Sequence, residues 1–442
     1  ENGFTCCSLI VQIVHYRHSL VGVYIIIIGD NMQGIHLKGS KKKSTVLKSY
    51  NKPNYIYIKL NSNEEYVLYV KKNDYVYKGT ILAKTKGKFT KSLFSSVSGF
   101  VEDIDIIDNV KTIKIKNDFK EKIESKIEVR KDINKISKNE FIDILKNCGI
   151  IGMGGAGFPT YVKYDTNNIK TLIINAVECE PYINSDYCLI EEKIEEILYG
   201  IDAIMEINNI PEAIIGIKRN NKKLKQIIET YIGTYDKIKL VEVPNFYPMG
   251  WERNLIKYVK KVDYDKLPSE LGIVVNNIST IYAIYQALKF NKPLIERIIY
   301  IGGDMVKNPC NMLVKVGTSC NELLSQISLK RNDNVVLIMG GLMMGMPGDL
   351  NSSVMASNNA IMIQSKKELK ENPCLRCSKC IQNCPAYIEP VLIKDASYDE
   401  LIKLHPEKCI ECGICSYICP AKINLREKVI NAKKEVKNEK VS

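Results

Sequence analysis

Long apolar runs are what this chain has least of. A membrane-crossing helix needs ~20 consecutive apolar residues, whereas the run Leu20–Ile28 has nine positions and is interrupted by Gly22 and Tyr24. His15, Arg17 and His18 precede it, but no small-residue cleavage site follows, so it does not complete a secretory signal. It reads as an early strand or, preferably, as an extension added ahead of the folded part. Nothing later approaches spanning length, so any membrane association is expected to be peripheral. Acidic excess is also lacking: the formal net charge is +13, which suits an acidic partner or an anionic membrane face. The lysines are spread along the chain instead of gathering with stacking aromatics, which argues against nucleic-acid binding. Tryptophan occurs once, at Trp251.

What is present is a large globular chain. At ~150 residues per domain, 442 residues correspond to three or four domains, and 45% apolar with 26% charged residues excludes intrinsic disorder. Of the fifteen cysteines, eight fall between Cys374 and Cys419 in C-x-x-C runs. A large chain uses that spacing for metal, not for disulfide staples, which implies a reducing compartment.

Periodicity changes along the chain. Short strands are expected at 55–58, 65–70, 80–83 and 111–115, separated by Asn, Gly and Ser, as in a small β-barrel or sandwich. Lys72-Asn-Asp-Tyr-Val-Tyr-Lys-Gly79, followed by Ser98-Gly99, resembles the barrel-sandwich hybrid of lipoyl and biotinyl domains. The carrier lysine of such domains is missing, so the relation is structural. From Lys131 onward, helix alternates with strand: a helix at 141–147, a buried strand at 171–174, a helix at 191–205 and a buried strand at 213–217, which is the pattern of an α/β domain. Strands at 297–301 and 334–339 flank a short helix near 321–327, as in a compact β-grasp-like unit. After Cys419 the tail holds seven Lys/Arg against three Glu, by default a solvated helix face and otherwise a docking element.

The expected division is an N-terminal extension over 1–33, a barrel-sandwich hybrid over 34–125, an α/β domain over 130–290, a β-grasp domain over 296–345 and a helical ferredoxin-type domain over 365–442. The fold class is therefore multidomain, α+β and α/β.

Three motifs carry chemistry. Cys374-x-x-Cys377-x-x-Cys380-x-x-x-Cys384-Pro385 is repeated as Cys409-x-x-Cys412-x-x-Cys415-x-x-x-Cys419-Pro420. Three thiolates at this spacing wrap one face of an iron–sulfur cube, and the fourth cysteine of each run ligates the other cube. The expected sets are Cys374, Cys377, Cys380 and Cys419 for one [4Fe–4S] cluster, and Cys409, Cys412, Cys415 and Cys384 for the second. A zinc knuckle needs only one such run. The second motif, Gly149-Ile-Ile-Gly-Met-Gly-Gly-Ala-Gly-Phe-Pro-Thr160, contains Gly152-x-Gly154-x-x-Gly157, the spacing of a dinucleotide fingerprint. That fingerprint follows a strand and opens a helix, whereas here a helix precedes and Pro159 interrupts. A glycine loop admits a phosphate or flat ring without Cβ obstruction, although a flexible turn accounts for it equally well. The third motif, Asn175-Ala-Val-Glu178-Cys-Glu180-Pro181, follows a buried strand, where α/β folds place ligand-binding groups.

Gly154-Gly-Ala-Gly-Phe-Pro-Thr160 with Lys163 resembles the flavin loop of the NADH-oxidising subunit of respiratory complex I and of NAD-linked hydrogenases. Asn175-x-x-Glu178-Cys-Glu-Pro-Tyr182, Tyr247-Pro-x-Gly250-x-Glu252 and Asn276-Asn-x-x-Thr280 are similar to its further elements. Their order after a barrel-sandwich, together with Gly340-Gly-x-Met-Met-Gly345 and a two-cluster tail, resembles the RnfC family of the Rnf complex, an ion-translocating ferredoxin:NAD oxidoreductase. The resemblance covers about Gly34 to Lys434. It implies that Gly152, Gly154, Gly155, Ala156, Gly157 and Lys163 cradle FMN and that Asn175, Asn276, Asn277 and Thr280 bind its ribityl-phosphate portion. It further implies that Glu178, Glu180, Tyr247 and Glu252 line the nicotinamide entrance and that the β-grasp domain is of the soluble-ligand-binding (SLBB) type, serving as a spacer. Two departures stand out: Gln33-Gly34-Ile-His36-Leu37 replaces the family's Gly-Gly-x-His-Pro, and Met249 and Trp251 stand where Gln and Gly are usual.

The implied chemistry is hydride exchange between NAD(H) and FMN, then one-electron transfer through two [4Fe–4S] clusters to or from membrane flavin and iron–sulfur subunits, with ferredoxin reached indirectly. No catalytic side chain is required, and the expected location is the cytoplasmic face of the bacterial membrane. Competing readings are a stand-alone NADH-dependent cobalamin reductase of the same architecture and a non-enzymatic cluster-bearing adaptor.

Overall fold

Strands with almost no polar side chains need cover on both faces, and the middle of the chain supplies it. The computed structural model describes residues 32–37, 47–107, 110–125, 129–130, 132–264, 266–330, 334–367 and 370–439; the expected 1–33 extension therefore lies almost wholly outside the described residues.

The barrel-sandwich region contains β1 (Leu47–Tyr50), β2 (Tyr55–Lys59), β3 (Tyr66–Leu68), β4 (Tyr75–Val76), β5 (Ile81–Thr85), β6 (Ser92–Phe94), β7 (Gly99–Ile107) and β8 (Val110–Asn117). A four-stranded sheet, β2-β8-β7-β4, and a three-stranded sheet, β3-β5-β6, enclose Ile56, Val76, Leu82, Val101 and Ile113, all fully buried. The alternating burial of β2 puts Ile56 and Ile58 inward and the tyrosines outward. Strand β7 is absent from the sequence expectation because its polar half, Glu102–Asp105, carries the alternation of an exposed ladder.

The α/β domain runs α1 (Lys138–Asn147), α2 (Tyr161–Tyr164), β9 (Thr171–Asn175), α3 (Ser185–Ile207), β10 (Glu212–Lys218), α4 (Lys222–Ile232), β11 (Ile238–Val243), α5 (Glu252–Lys260), β12 (Ile273–Asn277) and α6 (Ile278–Phe290). All four strands are parallel in the order β11-β10-β9-β12. The chain builds outward from β9 to β11 and then returns to the other side of β9. The direction of winding reverses between β9 and β12, and the register sets Asn175 beside Asn277 there. Helix α3 starts six residues before the expected Glu191 and is kinked at Lys193. The Glu178 carboxylate accepts from the Asp186 and Tyr187 backbone N–H groups at 2.8 and 3.3 Å, a cap supplied from outside the helix's own sequence.

Next come β13 (Glu296–Gly302), β14 (Cys310–Lys315), α7 (Cys320–Leu324), β15 (Val335–Met339), β16 (Met346–Gly348) and β17 (Ala360–Ser365). The resulting sheet, β1-β14-β13-β17-β15-β16, with α7 packed against it, is mixed and six-stranded. It extends beyond the expected 296–345 by taking in β17 and, at its other edge, β1 in parallel with β14. Neither addition is visible locally, because pairing over such separations is decided by the sheet. Helices α8 (Lys379–Gln382), α9 (Pro390–Ile393), α10 (Tyr398–Leu404), α11 (Ile414–Ile418) and α12 (Leu425–Glu439) complete the chain. Leu425, Val429, Ala432 and Val436 form the buried stripe of α12. Among the described residues no helix is long and apolar enough to cross a membrane.

The α/β core includes Phe141 from α1 edge-on to Tyr164 from α2, with ring centroids 5.1 Å apart and both residues fully buried. Replacing Phe141 by Ala is expected to cost ~3–5 kcal/mol of stability; urea unfolding followed by tyrosine fluorescence measures it.

Candidate functional site

In open parallel sheets, ligands bind beyond the carboxyl ends of the strands where the winding reverses. Asn175 and Asn277 mark that point. The glycine loop lies over it, with the Cβ direction of Gly154 only 3.3 Å from Asn277 Cβ.

The loop is closed by its own backbone. Gly152 N–H donates to the Phe158 carbonyl at 2.8 Å, Gly157 N–H to the Gly152 carbonyl at 3.1 Å, and Thr160 N–H to the Ile150 carbonyl at 2.9 Å. From beneath, the buried Thr280 hydroxyl accepts from Met153 N–H at 2.9 Å. The tip remains: Gly154, Gly155 and Ala156 are exposed, and their N–H groups meet no acceptor among the described residues. Gly155 has φ +122° and nothing within 4 Å of the position a Cβ would take. Three consecutive donors beside a Cβ-free space fit an anionic or flat ligand.

Charge is stored below this tip. Asn277 caps α6 through Ser279 N–H at 2.9 Å and donates to Asp186 at 2.6 Å; the Ser279 hydroxyl donates to the other Asp186 oxygen at 2.7 Å. Fully buried Arg297 donates to the Ala356 carbonyl at 2.5 Å and the Met153 carbonyl at 3.4 Å. Burial pulls its pKa down to about 10, against the opposing pull of Asp186. Asp186, Ser279 and Arg297 escape sequence reading because each lies on a different element and none is a fixed position of a motif, Ser279 being one of the variable positions of Asn276-Asn-x-x-Thr280.

The other expected residues take definite places. Lys163 donates to the Val275 carbonyl at 2.7 Å and to Glu252 at 3.2 Å, so these two meet at the rim. Asn175 donates to the Gly250 carbonyl at 2.8 Å and accepts from Val177 N–H at 3.1 Å. Asn276 is buried against the Tyr164 hydroxyl. Glu178 holds the start of α3. Glu180 accepts from Met343 and Met344 N–H at 2.9 and 2.8 Å. Tyr247 is 2% exposed and donates its hydroxyl to the Cys412 carbonyl at 2.6 Å, which carries this side of the site onto the cysteine domain. In the same region His36 Nε2 is buried without a hydrogen-bond partner among the described residues.

The second cysteine set surrounds a cavity lined by Cys384, Cys409, Cys412 and Cys415. Cys384 comes from the first run and the other three from the second. Burial raises all four thiols, Cys415 to about 12. Four thiols facing a cavity, Cys384 and Cys412 buried and Cys409 and Cys415 half-buried, suit a cationic iron centre, which deprotonates its ligands. They stand around the space instead of meeting at one point: among the described residues no three Cys, His, Asp or Glu side chains could chelate a single ion. Of the first set, Cys380 and Cys419 pack together against Ala421, Ile423 and Leu425, while Cys374 and Cys377 are exposed.

Three family models match separate stretches of the chain. Residues 30–120 match the RnfC barrel sandwich hybrid domain, 145–286 the Nuo51 FMN-binding domain and 366–420 the 4Fe-4S dicluster domain. The C subunit of the proton-translocating ferredoxin:NAD(+) oxidoreductase complex of Clostridium ljungdahlii is 32% identical over 339 residues, 73% of this chain and 74% of that protein. The C subunit of the ion-translocating oxidoreductase complex of Buchnera aphidicola is 33% identical, covering 70% of this chain and 68% of that one. Its counterpart in Rhodobacter capsulatus is 32% identical over 73% of this chain and 65% of its own length.

The Thr280 contact is testable on the protein alone. Thr280→Val leaves Met153 N–H without its acceptor, and the loss of one net hydrogen bond is expected to speed exchange of that amide roughly five- to tenfold, read by hydrogen–deuterium exchange of the loop peptide.

Proposed function

The chain belongs to the RnfC family, the C subunits of ion-translocating ferredoxin:NAD(+) oxidoreductases, and from that premise we propose that it passes electrons between NAD(H) and the other subunits by way of FMN at the glycine loop and two [4Fe–4S] clusters in the C-terminal helices. When bound, FMN exchanges a hydride with a nicotinamide and releases electrons singly, as one-electron iron–sulfur cubes require. The observation that carries the reading is the exposed tip at 154–156, Cβ-free at Gly154 and Gly155, set where the parallel sheet reverses its winding.

The residues divide the work by position. The N–H groups of Gly154, Gly155 and Ala156 bind the flavin's anionic portion, assisted by the positive N-terminal end of α6 at Asn277. Gly152, Gly157 and Thr280 fix the loop's shape; Asn175 and Asn276 hold the strand ends that support it. Lys163 and Glu252 orient one another at the rim, where a nicotinamide approaches, while Glu178, Glu180 and Tyr247 serve from behind, holding α3 and the cysteine domain in place. Cys409, Cys412, Cys415 and Cys384 hold the inner cluster. Cys374, Cys377, Cys380 and Cys419 hold the outer one, whose exposed ligands face the partner subunits. The protein is peripheral, and we place it on the cytoplasmic face of the membrane.

The reading is tested by the spectrum of anaerobically purified protein: flavin and cluster bands are expected together, both bleached by NADH. Cluster absorption without flavin would instead support a cluster-bearing adaptor. Gly155→Val adds a branched side chain at a positive φ inside the cradle and is expected to lower flavin content more than tenfold with iron unchanged; equal flavin in variant and parent defeats the assignment. For the clusters, Cys384→Ser and Cys412→Ser are expected to abolish the same EPR signal of the reduced protein, and Cys380→Ser and Cys419→Ser the other. Pairing of Cys384 with Cys380 would overturn the crossed assignment.

A further inference from the structure

One short segment touches both halves of the proposed electron path. At Gly250 it is bound to the strand ends of the α/β domain: its carbonyl accepts from Asn175 at 2.8 Å, and its N–H donates to the Cys179 sulfur at 2.9 Å. Three residues earlier, Tyr247 reaches the cysteine domain. The Tyr247 backbone is clamped on both sides by Ile35, whose N–H donates to it at 2.9 Å and whose carbonyl accepts from it at 2.8 Å. That clamp aims the buried ring into a contact group with Met343, Cys412, Ile414 and Ile418. Its hydroxyl ends on the Cys412 carbonyl at 2.6 Å.

A buried phenol needs a polar partner, whereas a phenylalanine would fill this apolar site with no such demand. The hydroxyl is therefore matched to one acceptor, and that acceptor belongs to a residue assigned as a cluster ligand. Further contacts hold the two sides in register. Glu180 binds the Met343 and Met344 N–H groups, and Arg426 from α12 donates to the Met344, Gly345 and Glu411 carbonyls at 2.7, 3.1 and 2.9 Å. Gly413 fits against the Met343 carbonyl, which lies 2.5 Å from where a Cβ would stand.

We propose that Tyr247 is a positioning residue that fixes the 409–415 loop against the flavin side and, through its hydrogen bond to the Cys412 carbonyl, raises the reduction potential of the cluster held there relative to the other. The inference rests on the reading that Cys409, Cys412, Cys415 and Cys384 bind one cluster. The electrostatics give the sign. A ligand's carbonyl oxygen presents partial negative charge to its surroundings, and a donor offsets it, so that adding an electron to the adjacent centre costs less. Removing the donor makes that cluster harder to reduce and leaves the outer cluster alone.

The test is an EPR-monitored redox titration of the whole, cluster-loaded protein. In Tyr247→Phe, the midpoint of the signal abolished by Cys412→Ser is expected to fall by a fivefold change in equilibrium constant, the size of one net hydrogen bond, or about 40 mV at 59 mV per decade for one electron. The other midpoint should not move. Leu37→Ala, which disturbs packing in the same contact group without touching the hydrogen bond, should move neither. An unchanged midpoint in Tyr247→Phe overturns the proposal, and so does an equal shift in Leu37→Ala. If the parent lacks two signals, or Cys412→Ser keeps both, the cluster reading itself is wrong and the proposal falls with it.

Discussion

The arrangement depends on a reversal of winding in one small parallel sheet. Because β12 returns to lie against β9, the chain leaves the two strand ends toward opposite sides, which in open parallel sheets opens a cleft there. What surrounds that cleft is a consequence. Asn175 and Asn277 stand level there because the β9–β12 register is unbroken. The α6 N-terminus opens there because α6 follows β12 without a gap. The glycine loop can lie above only because Thr280, in the first turn of α6, takes up an N–H group that the loop cannot satisfy for itself.

A buried charge pair beneath this cleft needs a physical account. An arginine wholly withdrawn from water is costly unless its donors are used and an opposite charge is near. Arg297 spends donors on the Ala356 and Met153 carbonyls, and Asp186 supplies the countercharge. Asp186 in turn accepts from Asn277 and Ser279. Hydrogen bonds thus tie Arg297 of the six-stranded sheet to the glycine loop, and Asp186 of α3 to α6. Polar groups in such a network resist rearrangement because moving one strands the others. That rigidity suits a loop offering three bare N–H groups, since ordering a mobile tip would cost entropy.

Much of this was legible in the chain. Runs such as Thr171-Leu-Ile-Ile and Ala213-Ile-Ile-Gly-Ile declare buried parallel strands by composition alone, and the cysteine spacing suggests a crossed assignment, with Cys384 lining the same cavity as Cys409, Cys412 and Cys415. The residues that escaped are those whose meaning depends on distant partners. Glu178 and Glu180 look alike in sequence, two carboxylates beside a strand end. In the fold, one caps a helix beginning seven residues later and the other binds a loop more than 160 residues away. Arg297 lies in an ordinary strand pattern, and nothing local marks it as the cation beneath the site. β1 joins a sheet whose other strands begin after residue 290, a pairing no window of sequence contains.

The basic C-terminal tail shows how such long-range contacts gather around the second cysteine run. By composition it is a solvated helix face, and Leu425, Val429, Ala432 and Val436 do give α12 one buried stripe. Two of its cations nevertheless turn inward. Arg426 binds carbonyls on both sides of the junction, and Lys433 donates to the Cys409 carbonyl at 2.8 Å and to Glu411 at 2.9 Å. With Tyr247 on Cys412, the backbone carbonyls of two of the three clustered cysteines in this run carry a side-chain donor. Thiolate-rich centres accumulate negative charge, and donors directed at the surrounding carbonyls counter it where water is excluded. The exposed pair Cys374 and Cys377 can rely on solvent for the same purpose. Were a cluster bound at each set, the one beside Cys409 and Cys412 would be held by protein donors and the other left open to water, so the two sites would differ in reduction potential.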